Sequence, residues 1–455
     1  MIETHTEQTV ARRLSRTIGD DRAAADGPTL IVIGGLHANE PAGIRAALRI
    51  HTAIASDRLR LAAGRFISLR GNLTALAARS DPPPRYIHED LNRAFIGTTQ
   101  PDACASAEQR ERAELTSALD TIDAEAAHPV FLLDLHTVSS DSPPFVVFED
   151  SLAARRFASA FPLPKMLGLE EELQGLLIDD ATRRLGTTAC IIEAGRHTDP
   201  RSTTIHEALV LISLDALRMT EPGRRTSTDE DPRAVAAHAA GPHADRCYDV
   251  RQRTEVRHES FEMLPSAAAF SRVRARRTVL ATERGRPITA DASGLLFMPN
   301  RQRTRLAGDD GFFIVQPVGR VWLGLSARLR RSELVHRLLP ALLPGVRRRP
   351  GDPHTILVAP EYAAILRCEI LHLLGYRLIR WHHTPSLTPR QRIVRGLGGL
   401  CRSVLGILRR AAAGGEPAAL PIERNKDWIA RRRRLDVDPP GVRARPDLKN
   451  EKENT

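Results

Sequence analysis

The sequence predicts an α/β fold for its first half. Short apolar runs at Leu30–Ile33, Arg65–Leu69 and Pro129–His136 alternate with stretches of helical spacing, the pattern of a parallel sheet flanked by helices. Polar chemistry gathers at the strand ends: His37 and Glu40 follow the first run, and Asp134 and His136 close the third. With 455 residues the chain has length for two or three domains, and 42% hydrophobic content makes most of it globular.

Residues 1–27 are polar and read as an N-terminal arm. Thr29–Glu40, TLIVIGGLHANE, reads as a buried strand entering a tight glycine turn. The turn delivers His37 and Glu40 three residues apart, a spacing that suits the first half of a zinc site. A helix is predicted next, with Pro41 near its start and Ile44, Ala47, Leu48 and Ala55 on helical spacing. After the second strand and three prolines comes Arg85–Phe95, RYIHEDLNRAF, an ordered loop punctuated by Tyr86, Ile87, Leu91 and Phe95. Its Arg85, Asn92 and Arg93 suit recognition of carboxylates and polarised carbonyls.

A Glu-, Arg- and Ala-rich helix is expected over Ala105–Ala126, then the strand PVFLLDLH. Asp134 and His136 share one side of that strand. The simplest reading makes His136 the third zinc ligand, with Asp134 behind a ligand imidazole. Residues 145–148 and 187–193 are further strands, and the second ends in Glu193-Ala194-Gly195. A carboxylate there can act as a general base at the carboxyl edge of the sheet, or simply close the strand at the surface. Arg183 and Arg184 fall in a stretch read as loop.

Charge is uneven. Residues 321–455 hold 26 Lys+Arg against 12 Asp+Glu, so the basic character belongs to the C-terminal third. A solvated basic surface is the ordinary reading, with weak attraction to an anionic membrane surface as the alternative. No nucleic-acid partner is expected. No secretory or membrane-spanning apolar segment stands out, and the five scattered cysteines form no CxxC pair, which points to a reduced cytoplasm. Homo-oligomerisation is compatible with the sequence.

Taken in order, HxxE, RYIxxDLNR, DLHT and ExG resemble the succinylglutamate desuccinylase/aspartoacylase family of zinc carboxypeptidase-like hydrolases. The resemblance covers roughly residues 28–215. It implies a zinc-carboxypeptidase-like mixed sheet with flanking helices, and Zn2+ held by His37, Glu40 and His136. By the same resemblance Glu193 is the catalytic carboxylate that activates a zinc-bound water, and Arg85 polarises the carbonyl. Asn92, Arg93 and Arg183 would bind substrate, a small acylated amino acid. Ala38 stands where the family usually has Gly, which predicts an ordinary φ at that position or a slightly altered loop.

The expected organisation is a catalytic domain over 28–218, a linker over 219–245, and a small β domain over 246–320. An accessory basic α/β segment follows at 321–412, with a helix over 361–375 and an amphipathic one near Leu400–Leu408. A disordered tail is expected from 413 to 455. The leading function is hydrolysis of the amide bond of an N-acyl amino acid. A zinc carboxypeptidase acting on small peptides, or a non-catalytic relic of a zinc site acting as a binding protein, are the alternatives.

Overall fold

The computed structural model describes residues 14–96, 105–221, 230–302, 305–343, 345–349, 352–358, 370–380 and 428–432. The described residues fall into two compact units, Met1–Pro144 with Gly175–Ala239, and Phe145–Gln174 with Ala240–Thr455.

The first unit holds β1 (Thr17–Arg22), β2 (Thr29–Gly34), α1 (Ala42–Ala55), β3 (Arg65–Arg70), α2 (Leu73–Leu76), α3 (Ala107–Glu125) and β4 (Val130–Val138). It resumes with α6 (Leu177–Leu185), β7 (Thr188–Arg196), α7 (Arg201–Ala216) and α8 (Pro232–Ala240), the intervening labels belonging to the second unit. Strands β3, β2, β4 and β7 lie side by side and parallel, and β1 pairs antiparallel with β3, so the sheet is mixed as expected. Every residue of β2 and β4 is buried, which is why both read as unbroken apolar runs. Helices α1 and α7 pack together, as do α3 and α6.

The strand order positions the site. From β2 the chain steps to β3 on one side, then returns to β4 on the other. The carboxyl ends of β2 and β4 therefore flank a topological switch point, where open α/β sheets leave a crevice. Gly35 turns the chain after β2 at φ +72°. A Cβ on Gly71 would lie 2.4 Å from the Leu36 Cα, so the turn after β3 approaches the turn after β2 only because it carries glycine. Ala38 has no positive φ, in line with its side chain.

The second unit contains β5 (Phe145–Phe148), α4 (Leu152–Ala158), β6 (Lys165–Leu167) and α5 (Leu169–Glu172). Then follow β8 (Cys247–Glu255), β9 (Glu262–Met263), β10 (Arg272–Val273), β11 (Val279–Glu283), β12 (Arg286–Thr289), β13 (Gly294–Phe297) and β14 (Asp310–Val318). Its last elements are α9 (Arg320–Arg330), α10 (Glu333–Leu342), β15 (Val346–Arg349), β16 (Asp352–Val358), β17 (Tyr376–Arg380) and β18 (Trp428–Arg432). Strands β5, β6 and β8 are parallel neighbours, and β8, β14, β13 and β10 continue antiparallel. Phe261, Leu280, Leu296 and Phe312 belong to one core, and Leu339, Ile356, Val358 and Tyr376 to another.

A buried ion cluster ties this unit together. Asp150 accepts from Arg155 of α4 at 2.5 Å, Arg330 of α9 at 2.7 Å and Arg377 of β17 at 2.5 Å. Burial alone would raise the Asp150 carboxyl, but the three guanidinium groups hold it well below the usual carboxylate range.

Several stretches differ from their sequence reading. The arm contains β1, held by β3. Helix α8 occupies much of the stretch read as linker, because Ala236 and Ala240 are buried. Trp428–Arg432, inside the expected tail, is a strand paired on both edges, with β16 and β17. The helices expected over 361–375 and 400–408 lie largely or wholly outside the described residues. Among the described residues no helix is long and apolar enough to cross a membrane.

Candidate metal centre

His37 and Glu40 stand on the turn after β2, and His136 stands near the end of β4. All three are buried, and one ligand atom from each lies within 4.8 Å of the others. The Nδ1 atoms of His37 and His136 are 3.1 Å apart. Glu40 reaches both rings, with Oε1 3.0 Å from His37 Nδ1 and Oε2 3.1 Å from His136 Nδ1. It also accepts the Thr137 N–H at 2.9 Å, which fixes its rotamer.

The far nitrogens are held from behind. His37 Nε2 lies 2.9 Å from Asp90 Oδ1, and His136 Nε2 lies 2.9 Å from Asp134 Oδ2. At His37 the Asp90 carboxylate keeps the proton on Nε2 and turns the Nδ1 lone pair inward, whereas Asp134 lies beside His136 Nε2 as a close charge outside hydrogen-bond geometry. Two inward lone pairs and the Glu40 carboxylate then converge on one buried point, which is unfavourable without positive charge between them. Burial opposes a charged His136, yet Asp134 and Glu40 hold its pKa well above the usual value. Burial likewise opposes the Glu40 carboxylate, and His37 and His136 hold it well below the usual range. A surround that favours a proton on the imidazole favours a divalent cation in the same place, so the residues fit a zinc ion.

Glu193 lies beside the cluster because β4 and β7 are in register, His136 opposite Glu193. Burial pushes its carboxyl up to about 8; Glu40 and Asp134 add to the rise while His136 and Arg85 oppose it. Its Oε2 is buried with no hydrogen-bond partner.

The loop after the prolines is tied onto the HxxE turn. The Ala38 N–H donates to the Arg85 carbonyl at 3.1 Å. The Arg85 guanidinium donates to Glu40 at 2.9 Å and to Asp90 at 3.2 Å. Asn92 is buried, and its side-chain oxygen accepts the Leu177 N–H at 3.0 Å, at the start of α6. Arg93 donates to the Asn92 carbonyl at 2.9 Å.

The structure thus gathers His37, Glu40, His136, Glu193 and Arg85, with Asn92 and Arg93 on the adjoining loop. Arg183 is not brought to them by any described contact. It is exposed on α6, a helix where a loop was expected, and its Nε donates to the Asp179 carbonyl at 3.0 Å. The helix had a signal in Asp180 and Arg184, an i,i+4 ion pair at 3.1 Å. Sequence reasoning gave no role to Asp90 and passed over His197. Burial lowers the His197 pKa, and its Nδ1 lies 2.8 Å from the Thr137 hydroxyl, next to a ligand. Near the end of β7 a cavity of about 640 Å³ is lined in part by Ala194 and Gly195, the two residues after Glu193.

A mixed α/β sheet thus brings a buried His–Glu–His set that could hold a metal ion to its switch point. Residues 26–217 match the succinylglutamate desuccinylase/aspartoacylase catalytic domain. Similar solved structures include a succinylglutamate desuccinylase from Vibrio cholerae, 17% identical over 65% of this chain and 83% of that chain, with TM-score 0.48. The product-bound ectoine utilization protein from Ruegeria pomeroyi is 17% identical over 65% and 87%, with TM-score 0.48. An aspartoacylase family protein from Mesorhizobium loti is 19% identical over 66% and 88%, with TM-score 0.47.

Proposed function

We propose that the first unit is a zinc-dependent hydrolase of the amide bond in a small N-acyl amino acid. The observation that carries this reading is the convergence of His37, Glu40 and His136 within 4.8 Å, each histidine backed by its own carboxylate. When bound, zinc would polarise the scissile carbonyl and lower the pKa of a water at that position.

The chain's own groups do the rest. Glu193 takes the proton of the attacking water and passes it to the departing amine nitrogen. Arg85 donates to the carbonyl oxygen as negative charge builds there. Arg93 and the Asn92 side-chain amide hold the substrate carboxylate and so place the scissile bond. Arg183 would join them only by leaving the Asp179 carbonyl. Free thiols at Cys190 and Cys247 accord with a cytoplasmic enzyme.

The test is metal analysis of the purified full chain, then a panel of N-acetyl and N-succinyl amino acids run beside dipeptides. One bound zinc and hydrolysis of an acylated amino acid, both lost in His136→Ala, is the expected result. Cleavage of dipeptides alone would replace this reading with the carboxypeptidase, and bound metal with no hydrolysis at all would leave a binding protein.

For the C-terminal third we retain a weak contact with anionic membrane surfaces, supported by α10. Its Leu334, Leu338 and Leu342 are exposed at four-residue spacing, with Arg331 and Arg337 nearby. Undiminished sedimentation of Leu334→Glu/Leu338→Glu with phosphatidylglycerol vesicles would remove that idea.

A further inference from the structure

We propose that His197 is a positioning residue of the candidate metal centre, holding the Glu40 carboxylate in place through Thr137. The proposal rests on the reading of His37, Glu40 and His136 as ligands. Among the described residues, the main-chain N–H that the Glu40 side chain accepts is that of Thr137, at 2.9 Å from Oε2. Whatever fixes Thr137 therefore helps to fix the carboxylate.

Regular strand pairing does not fix it. The β4–β7 ladder pairs His136 with Glu193 and Val138 with Arg196, so β7 carries one residue more than β4 between those pairs. This is a β-bulge, with Gly195 at φ +91° supplying its left-handed turn, and bulges re-aim side chains next to functional sites. Thr137 stands opposite the bulge, without a pairing partner of its own among the described strands. Its hydroxyl lies 2.8 Å from His197 Nδ1 instead. His197 is itself anchored, because its own N–H donates to the Val138 carbonyl at 3.0 Å. That anchor is main chain and survives loss of the ring, so the contact with Thr137 is what the ring adds.

The ring is not explained by its own packing. Its Nε2 is buried with no hydrogen-bond partner among the described residues, and a buried unsatisfied nitrogen costs stability. Burial lowers the pKa of the ring; Arg85, His37 and His136 add to the fall while Glu40 opposes it, so the ring stands within electrostatic reach of the whole centre. A neutral imidazole can accept the Thr137 hydroxyl hydrogen on Nδ1, and it brings no positive charge to compete with a cation among the ligands.

The experiment uses the purified full chain, with zinc affinity read by chelator competition and the geometry around the metal by the visible absorption of the cobalt(II)-loaded protein. His197→Ala should lower zinc affinity by about tenfold and change the cobalt spectrum. His197→Asn sets an amide where Nδ1 stands and should recover most of that loss. Thr137→Val removes the hydroxyl at nearly constant shape and should match His197→Ala. Because the two residues act as one unit, His197→Ala/Thr137→Val should lose no more affinity than either single variant. Should the alanine variant fail to fold, the asparagine and valine variants carry the same test. Affinity and spectrum unchanged in His197→Ala or Thr137→Val, no recovery in His197→Asn, or losses that add in the double variant would each overturn the role of His197. A parent chain that binds neither zinc nor cobalt would overturn the ligand set itself, and this role with it.

Discussion

His136 and Glu193 face each other as paired residues across the parallel strands β4 and β7. Strand register alone therefore sets a candidate ligand beside a candidate base, without help from a mobile loop. Adjacent strands lie about 4.8 Å apart, and that spacing fixes how far the carboxyl stands from the imidazole. Glu193→Gln keeps the shape and removes the proton acceptor. Turnover should fall by about a hundredfold or more with zinc content unchanged. A variant that kept full turnover with metal bound would take Glu193 out of the mechanism.

Asp90 and Asp134 make a second prediction, separable from the first. Each lies 2.9 Å from the outer nitrogen of one candidate ligand. Asp90→Ala and Asp134→Ala should lower zinc affinity by about 10- to 100-fold, read by competition with a chelator. Affinity equal to that of the unaltered protein in both variants would show that the carboxylates neither orient the rings nor tune their basicity.

What was legible in the sequence was local. A buried strand followed by a polar group is written in consecutive residues, so β2 with His37 and Glu40, β4 with His136, and β7 with Glu193 could be read directly. Of the ordinary φ or altered loop that Ala38 allowed, the φ is ordinary. What was hidden depended on distant partners. Asp90 meets His37 across 53 positions, and nothing in RYIHEDLNR marks which of its acids will do so. FVVF was readable as a strand, but its partner β6 comes from about 20 residues later and itself pairs with β8, about 100 residues on, which places FVVF in the second unit. β18 looked like a charged tail because its sequence is arginine-rich; two pairing partners outweigh that composition.

His206 carries a pH prediction whose sign follows from burial. It is fully buried on α7, and burial pushes its pKa down to about 3. In the unfolded chain a histidine titrates near pH 6.5. Between those values the unfolded state holds a proton that the folded state refuses, so the stability contribution is lost as pH falls below about 6.5. The loss is about 1.4 kcal/mol per pH unit, or about 2–3 kcal/mol by pH 4.5. His206→Leu should remove this slope, so the variant should lose less stability than the parent between pH 7 and pH 4.5 in urea titrations. Parallel stability–pH curves for the two proteins would contradict it.

Asp150 is the test of the second unit. Its carboxylate is fully buried and faces Arg155, Arg330 and Arg377, which come from three separate elements. Replacing the acid leaves three guanidinium groups packed together with less counter-charge, and breaking a buried pair in this way typically costs about 3–5 kcal/mol. Asp150→Asn should destabilise the second unit by that order, seen as an earlier urea transition in the fluorescence of Trp322 on α9. Acid should act in the same direction on the unaltered protein. Because the folded carboxyl is held well below its unfolded value, the contribution is complete above about pH 4 and is lost as pH falls through the folded pKa. The asparagine variant should therefore show a shallower acid slope below pH 4 than the parent. A Trp322 transition that Asp150→Asn leaves in place would mean that α9 is held by its apolar contacts, with the ion cluster incidental.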